Sequence, residues 1–294
     1  MKHTITPVSI RHFIKYACAC ATCACACAMM LTGCAPKAPV ITILHTNDTH
    51  SQVEPTNPKA EKNADLGGYA RRMGLIAMER AVDPELLLLD AGDFSQGSPF
   101  FNYFRGRVEV EALNRMGYDA VTFGNHEFDN GLDTLAMLLR LAKFPLVCAN
   151  YDCTGTPLEG LVKPYIVLKR GGHKIGIIGV GVSPDDLIAK DNFGGIRYLD
   201  PLPVINETAD MLRNKKHCEL IIVLSHLGTD NSNGVSDLVL AKQMHNVDII
   251  IGGHTHHIFN GERVLDADNH EVVLSQMGKG GMRVGKIKVK FDEE

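Results

Sequence analysis

The chain has 294 residues, 45% of them hydrophobic and 22% charged, with a formal net charge of −4 and no tryptophan. That balance belongs to an ordinary folded domain and excludes collagen-like repeats, coiled coils and disordered acidic chains. It also argues against a nucleic-acid polymer as the main partner, because such a partner calls for a basic face.

The first 33 residues differ in kind from the rest. Lys2, Arg11 and Lys15 precede a run of small and apolar residues over 16–31. The run is shorter than the ~20 residues a membrane-spanning helix needs, so it reads as a signal peptide. The stretch Leu31-Thr32-Gly33-Cys34 resembles a bacterial lipobox. On that reading Cys34 is lipidated and becomes the first mature residue, and 34–39 form a Pro- and Ala-rich tether. The protein would then sit in the bacterial cell envelope, lipid-anchored to the membrane on its periplasmic or outer surface. Removing 1–33 leaves 27 Lys and Arg against 34 Asp and Glu. Five cysteines (Cys18, Cys20, Cys23, Cys25, Cys27) go with the leader. Cys148, Cys153 and Cys218 remain, too few for a disulfide framework. Cys148 and Cys153 could pair in an oxidising compartment; buried free thiols are the competing reading.

From residue 40 onward, strand-like and helix-like segments alternate. Residues 40–46 read as a buried strand and 66–82 as a helix with one apolar and one polar face, Arg71 and Arg72 on the solvated side. A continuous apolar run at 85–90 suits a strand covered on both faces. A helix over 107–116 ends at Gly117 in a capping role. Then come a strand at 119–123, a helix at 132–143 and a strand at 145–150. A hairpin turns at Gly171-Gly172, followed by a helix at 202–216 and a strand at 219–226. A helix at 235–245, a strand at 247–253 and two final strands joined by a Gly-rich turn complete the chain. The alternation predicts one α/β domain over 40–294 with largely parallel pairing, plus antiparallel strands from the hairpin and the tail.

Nearly every predicted strand ends in residues able to bind a metal or a phosphate: Asp48 and His50; Asp90, Gly92 and Asp93; Asn125, His126 and Asp129; His226; His254 and His256. Ligands of open α/β sheets gather outside the carboxyl ends of strands, so these tips are expected to converge. Residues two apart on an extended segment point the same way, which would let Asp48-x-His50 and His254-x-His256 each aim two groups at one pocket. Gly92, Gly124 and the pair Gly252-Gly253 would let backbone approach without a Cβ in the way. Carboxylate, imidazole and amide oxygen suit divalent Mn, Zn, Fe, Co or Mg. His257 reads as a bystander, His45 as core packing or outer support for the site, and His173, His217, His245 and His270 as surface. The aromatics of 100–106 could stack on a base or pack.

The order of these blocks resembles the calcineurin-like metallophosphoesterases, and within them the 5'-nucleotidase family. The blocks are "ITILHTNDTHSQV" (41–53), "DAGDFSQGSP" (90–99), "YDAVTFGNHEFDNG" (118–131) and "IIGGHTHH" (250–257). Phe123 departs from the aliphatic residue usual there. The resemblance implies a sandwich of two mixed β-sheets flanked by helices (α/β/β/α). It also implies two divalent metal ions, one held by Asp48, His50 and His256, the other by Asn125, His226 and His254, with Asp93 bridging. His126 would face the substrate, oriented by Asp129. The implied activity is metal-dependent hydrolysis of a phosphoric ester, foremost of nucleoside 5'-monophosphates. Cyclic nucleotides or UDP-sugars are alternative substrates, and a non-catalytic binding subunit is the rival of another class. Members of the family carry a second, C-terminal domain that holds the nucleoside. The sequence stops at Glu294, so a separately encoded substrate-binding partner is a further expectation.

Overall fold

A computed structural model describes residues 3–4, 8–10, 40–185, 187–230 and 235–291. The expected signal peptide apart from 3–4 and 8–10, the expected lipidation at Cys34 and the expected tether lie outside the described residues.

Among the described residues, sixteen strands and seven α-helices follow in chain order, with a single 3-10 turn at His126–Phe128. They begin β1 (His3–Thr4), β2 (Val8–Ile10), β3 (Val40–Thr46), α1 (Tyr69–Val82), β4 (Leu87–Asp90), α2 (Pro99–Phe104), α3 (Arg107–Met116) and β5 (Ala120–Val121). Next come α4 (Gly131–Leu141), β6 (Leu146–Val147), β7 (Tyr151–Asp152), β8 (Val162–Lys163), β9 (Tyr165–Arg170), β10 (His173–Val180), α5 (Lys190–Phe193) and β11 (Arg197–Tyr198). The last are α6 (Pro201–Asn214), β12 (Leu220–Ser225), α7 (Asp237–Ala241), β13 (Ile249–Ile251), β14 (Ile258–Leu265), β15 (Glu271–Met277) and β16 (Gly285–Phe291).

Two mixed sheets stack face to face. One runs β1-β16-β3-β4-β5-β6-β8, with β2 also on β16, and the other runs β14-β15-β13-β12-β10-β9. Most neighbouring strands are parallel, and the antiparallel pairs are β3–β16 within the first sheet and β9–β10 and β14–β15 at the two edges of the second. Side-chain alternation explains the layering. Ile43, Leu87 and Leu89 point into the space between the sheets and meet Ile177, Ile222, Ile249 and Val273. Leu44, Leu88 and Val121 point outward and are covered by Val110, Leu113 and Met116 of α3, Ile76 of α1 and Leu138 of α4. On the other side Ile178, Ile221, Val223 and Ile250 pack on Ile205 and Leu212 of α6 and Leu240 of α7. Each such fully buried side chain contributes roughly 1.5–3 kcal/mol. The continuous apolar runs of β4 and β12 follow from being covered on both faces. The α/β/β/α architecture expected above is the one observed.

Boundaries differ for physical reasons. α1 starts at Tyr69, three residues later than periodicity suggests, because Gly67 and Gly68 have φ of 72° and 86°. β5 stops at Val121, since the chain there leaves the sheet to form the site. α7 spans only Asp237–Ala241, capped by Ser236, whose side chain accepts from Val239 N. The final two strands are no hairpin: β15 and β16 belong to different sheets, and the Gly-rich stretch carries the chain across the sandwich. β14, mostly exposed, escaped the sequence reading. Arg72, expected in solvent, is 2% exposed and lies over the Tyr69 ring at 5.1 Å, because α1 turns that side toward the sheet. Arg71 is exposed and pairs with Asp65. The three cysteines of the described region are free and buried, each pushed to a higher pKa by burial.

Candidate metal centre

The carboxyl ends of β3, β4 and β5 lie side by side in one sheet and those of β12 and β13 in the other. The turns beyond them bring the candidate residues together. Asp48, His50 and His256 each place a ligand-type atom within 4.8 Å of the others, and so do Asp93, His226 and His254. The Asp93 carboxylate stands between the two groups: its Oδ2 is 3.1 Å from His226 Nε2 and 3.9 Å from His50 Nε2. His256 Nε2 is 3.5 Å from Asp48 Oδ1 and 3.0 Å from His50 Nε2. Asn125 Oδ1 lies 3.1 Å from His254 Nδ1.

The geometry that achieves this is not the one expected. Asp48-x-His50 and His254-x-His256 do not alternate off extended strands, since β3 has ended at Thr46 and β13 at Ile251. Asp48, His50, Asp93, His254 and His256 all have left-handed backbone, with φ of 47°, 43°, 55°, 69° and 56°. Non-glycine residues rarely adopt that conformation, and each such residue stores strain of order 1–3 kcal/mol. Hydrogen bonds hold the turns in place. Asp48 N donates to Gly92 O at 2.9 Å, His50 N to Asp93 O at 3.0 Å and Gly280 N to Asp48 O at 2.7 Å. The Gly-rich crossing between the sheets therefore also closes over Asp48.

The glycines divide. A Cβ on Gly124 would overlap the Asp93 carboxyl, and one on Gly253 would come within 2.8 Å of His226 Nδ1 and 2.9 Å of Ala91 O, so both clear space for the site. Gly92, with φ of 87°, passes close to the backbone of Phe123 and Gly124. Gly252 instead faces Asp237, behind the site.

Electrostatics follow from crowding two carboxylates and several imidazoles in a buried space. Burial alone would raise the Asp93 carboxyl, but His226, His50 and His126 outweigh it and hold it well below the usual range. Burial opposes charge on His226 too, yet Asp93 and then Asp48 push its pKa up to about 10. His226 Nδ1 donates to Ala91 O at 2.6 Å, which turns Nε2 toward Asp93. Burial and the neighbouring His226 lower His254 to about 4. Burial likewise lowers His50. Neutral imidazole beside an ionised carboxylate is the donor chemistry a divalent ion requires.

His126 sits at the mouth, its side chain 30% exposed, with ring Nδ1 donating to Asp129 Oδ2 at 2.9 Å. That bond raises its pKa against the opposing effect of burial, with further help from Asp93. His126, His50 and Asp93 also lie within ligand reach of one another.

Several residues that shape the site were missed. Buried Glu127 accepts from Gly124 N at 2.6 Å and from Asp93 N and Ser95 N at 3.0 Å, tying the loops that carry Asp93 and Asn125. Burial, and then Asp93, raises its carboxyl to about 7. Asn47 donates to Asp48 Oδ2 at 2.6 Å and accepts from Met277 N at 2.8 Å. Gln276 donates to Gly253 O and accepts from His257 N at 2.8 Å. The available signal was an amide or acid inside or beside an apolar strand end, where a polar side chain needs a partner. Asp90, grouped with the candidate ligands, is a brace: its oxygens accept from Gly92 N at 2.9 Å and Thr46 Oγ1 at 2.5 Å.

The remaining histidines fall elsewhere. His257 faces Asp230 at 3.2 Å. His45 is fully buried and bonded to Ser275 at 2.9 Å, joining the two sheets, and burial lowers its pKa to about 3. His173 is half-buried, stacked on Phe291 with ring centres 3.7 Å apart. Of the aromatics at 100–106, Phe101 packs inward while Tyr103 and Phe104 are exposed. Ser98, just ahead of them, bonds Ser51 at 2.6 Å in the turn that carries His50.

Comparison with known proteins follows these blocks. Residues 41–257 match the family described as calcineurin-like phosphoesterase. A 5'-nucleotidase of Rattus norvegicus is 34% identical over 276 residues, covering 86% of this chain and 47% of the relative. Among solved structures, a 5'-nucleotidase precursor from Thermus thermophilus superposes with a TM-score of 0.77 at 34% identity, covering 86% of this chain and 52% of that one. An NAD nucleotidase from Haemophilus influenzae gives 0.77 at 26% identity, covering 88% and 48%. The chain thus spans about half the length of these relatives.

Proposed function

Because the chain belongs to the calcineurin-like phosphoesterase family, we propose that it is a metal-dependent phosphoric ester hydrolase that converts a nucleoside 5'-monophosphate and water to nucleoside and phosphate. The observation that carries this reading is the convergence of Asp48, His50 and His256 on one side and of His226 and His254 on the other around the single carboxylate of Asp93, with a hydrogen-bonded His126 at the mouth. Asp48, His50 and His256 would hold one divalent ion, Asn125, His226 and His254 the other, and Asp93 would be shared.

The residues present fit such ions. The donors are oxygen and nitrogen only, the set that suits borderline and hard divalent cations. His226 Nε2 is buried beside Asp93, and its other nitrogen is already committed to Ala91 O. When bound, two such ions supply a polarised water and a positive clamp on the phosphoryl oxygens.

The chain's own groups do the rest. The neighbouring imidazoles hold the Asp93 carboxyl well below the usual carboxylate range, and Glu127 fixes its position through the backbone. His126 presents an imidazolium whose charge Asp129 supports. It stabilises the phosphoryl group or hands its proton to the departing alkoxide oxygen, a role worth roughly 10²–10⁴-fold. The nucleotide as substrate rests on the printed names of the rat and Thermus relatives. We propose that a substrate-binding domain outside residues 40–294 contributes to nucleoside recognition.

The test is turnover of AMP and 4-nitrophenyl phosphate by the full chain loaded with Mn²⁺, beside 2',3'-cyclic AMP and UDP-glucose. We expect hydrolysis of the aryl phosphate and preference for AMP among the nucleotides. His126→Ala should keep two ions and lose about 10²–10⁴-fold in kcat. No turnover of any of the four with two ions bound would sink the proposal.

A further inference from the structure

The loop joining β14 to β15 carries a second group of ligand-type side chains, which the proposed reaction does not use. Asp266, Asp268 and His270 stand between Leu265 and Glu271, and one ligand-type atom of each lies within 4.8 Å of the others. The turn is built around Asp266, whose Oδ1 accepts from Asp268 N and His270 N at 2.8 Å each. Its other oxygen is the informative atom. The Asp266 side chain is only 1% exposed, and its Oδ2 is buried with no hydrogen-bond partner.

A buried carboxylate oxygen left unpaired is costly. This one faces His270 Nδ1 at 3.9 Å. The gap is too long for a hydrogen bond, yet two donors each about 2.0–2.2 Å from one zinc ion can span it. Asp268 Oδ2 accepts from His245 Nδ1 at 2.8 Å, so an outer partner already orients that carboxylate. Ala267 N, bonded to Met244 O at 3.3 Å, fastens the loop to the chain just beyond α7.

We propose that Asp266, Asp268 and His270 bind one divalent transition-metal ion of the zinc class, at a site separate from the metal centre above. Two carboxylates and an imidazole favour such an ion over Ca²⁺, which takes six to eight oxygens. The loop lies at the far end of β14 from His256, about 25 Å along a strand of this length. The ion would pin the tip of an exposed edge hairpin and take no part in hydrolysis.

The test uses the full chain, stripped with a chelator and equilibrated with Zn²⁺ at low micromolar free concentration, with bound zinc counted by elemental analysis. His270 is 75% exposed, so His270→Ala should fold normally, and Asp268→Asn serves as the second variant. Each variant is expected to hold one zinc fewer than wild type while keeping Mn²⁺-supported turnover of 4-nitrophenyl phosphate. Equal zinc content in wild type and both variants would overturn the proposal. So would an extra equivalent seen only at millimolar zinc, or a loss of turnover that parallels the loss of zinc.

Discussion

The two halves of the candidate metal centre share Asp93 but differ in their surroundings. The inner half is the more enclosed: the His226 side chain is 0% exposed and Asn125 is 6% exposed, and only His254 is part-buried. The outer half opens to solvent through His256, 35% exposed, and His50, 15% exposed. The inner half is also where carboxylates draw a proton most strongly, with His226 raised to about 10. A metal entering there must displace that proton, whereas in the outer half burial lowers the pKa of His50. An outer ion should therefore exchange readily and an inner ion should be slow to enter and slow to leave.

The largest test of that contrast removes what the halves share. Asp93→Ala should abolish binding of both ions and lower turnover by at least roughly 10²–10³-fold, the cost of losing one preorganised electrostatic group in a buried site. Metal content after gel filtration checks it. Retention of the inner ion alone would show that the inner half stands without the bridge.

A smaller effect is expected from Glu127→Gln, which keeps the shape but weakens the tie to Asp93 N and Gly124 N. Support of this kind is worth roughly 10–100-fold in metal affinity or activity. Titration of the stripped protein with Mn²⁺ would read it, and an unchanged affinity with unchanged kcat would mean that the loops hold themselves.

The smallest is a pH effect at the mouth. Asp129 raises the pKa of His126, so a reaction needing the imidazolium declines as pH rises through that raised value. Asp129→Asn removes the cause, and the alkaline limb of kcat/KM should move to lower pH. A limb that stays in place would separate His126 from the alkaline decline.

The α/β class was legible because both sheet faces are covered: Ile43, Leu88, Ile222 and Ile250 sit in apolar runs buried on both sides. The stacking of two sheets followed from the family resemblance, not from the pattern. The candidate residues were legible too, because each follows such a run. The conformation of the turns was not: an extended reading of Asp48-x-His50 cannot foresee left-handed backbone imposed by hydrogen bonds to Gly92 and Asp93, some forty residues on. Arg72 was misplaced for a related reason. Its cover comes from residues distant in sequence, the Gly280–Gly281 crossing among them. β14 was missed because an exposed edge strand with a bulge near Gly261 has no alternation to read. Glu127 hid inside a block whose other members drew the attention.

The left-handed turns carry a consequence for anyone who would rewrite this site. Asp, Asn and His are among the few residues other than glycine that tolerate such backbone. The permitted vocabulary at Asp48, His50, Asp93, His254 and His256 is thus narrowed by the chain before metal preference has any say. A longer carboxylate or a thiolate introduced there must satisfy the turn first, so retuning the metal is more promising from Asn125 or His226, which are absent from the left-handed set.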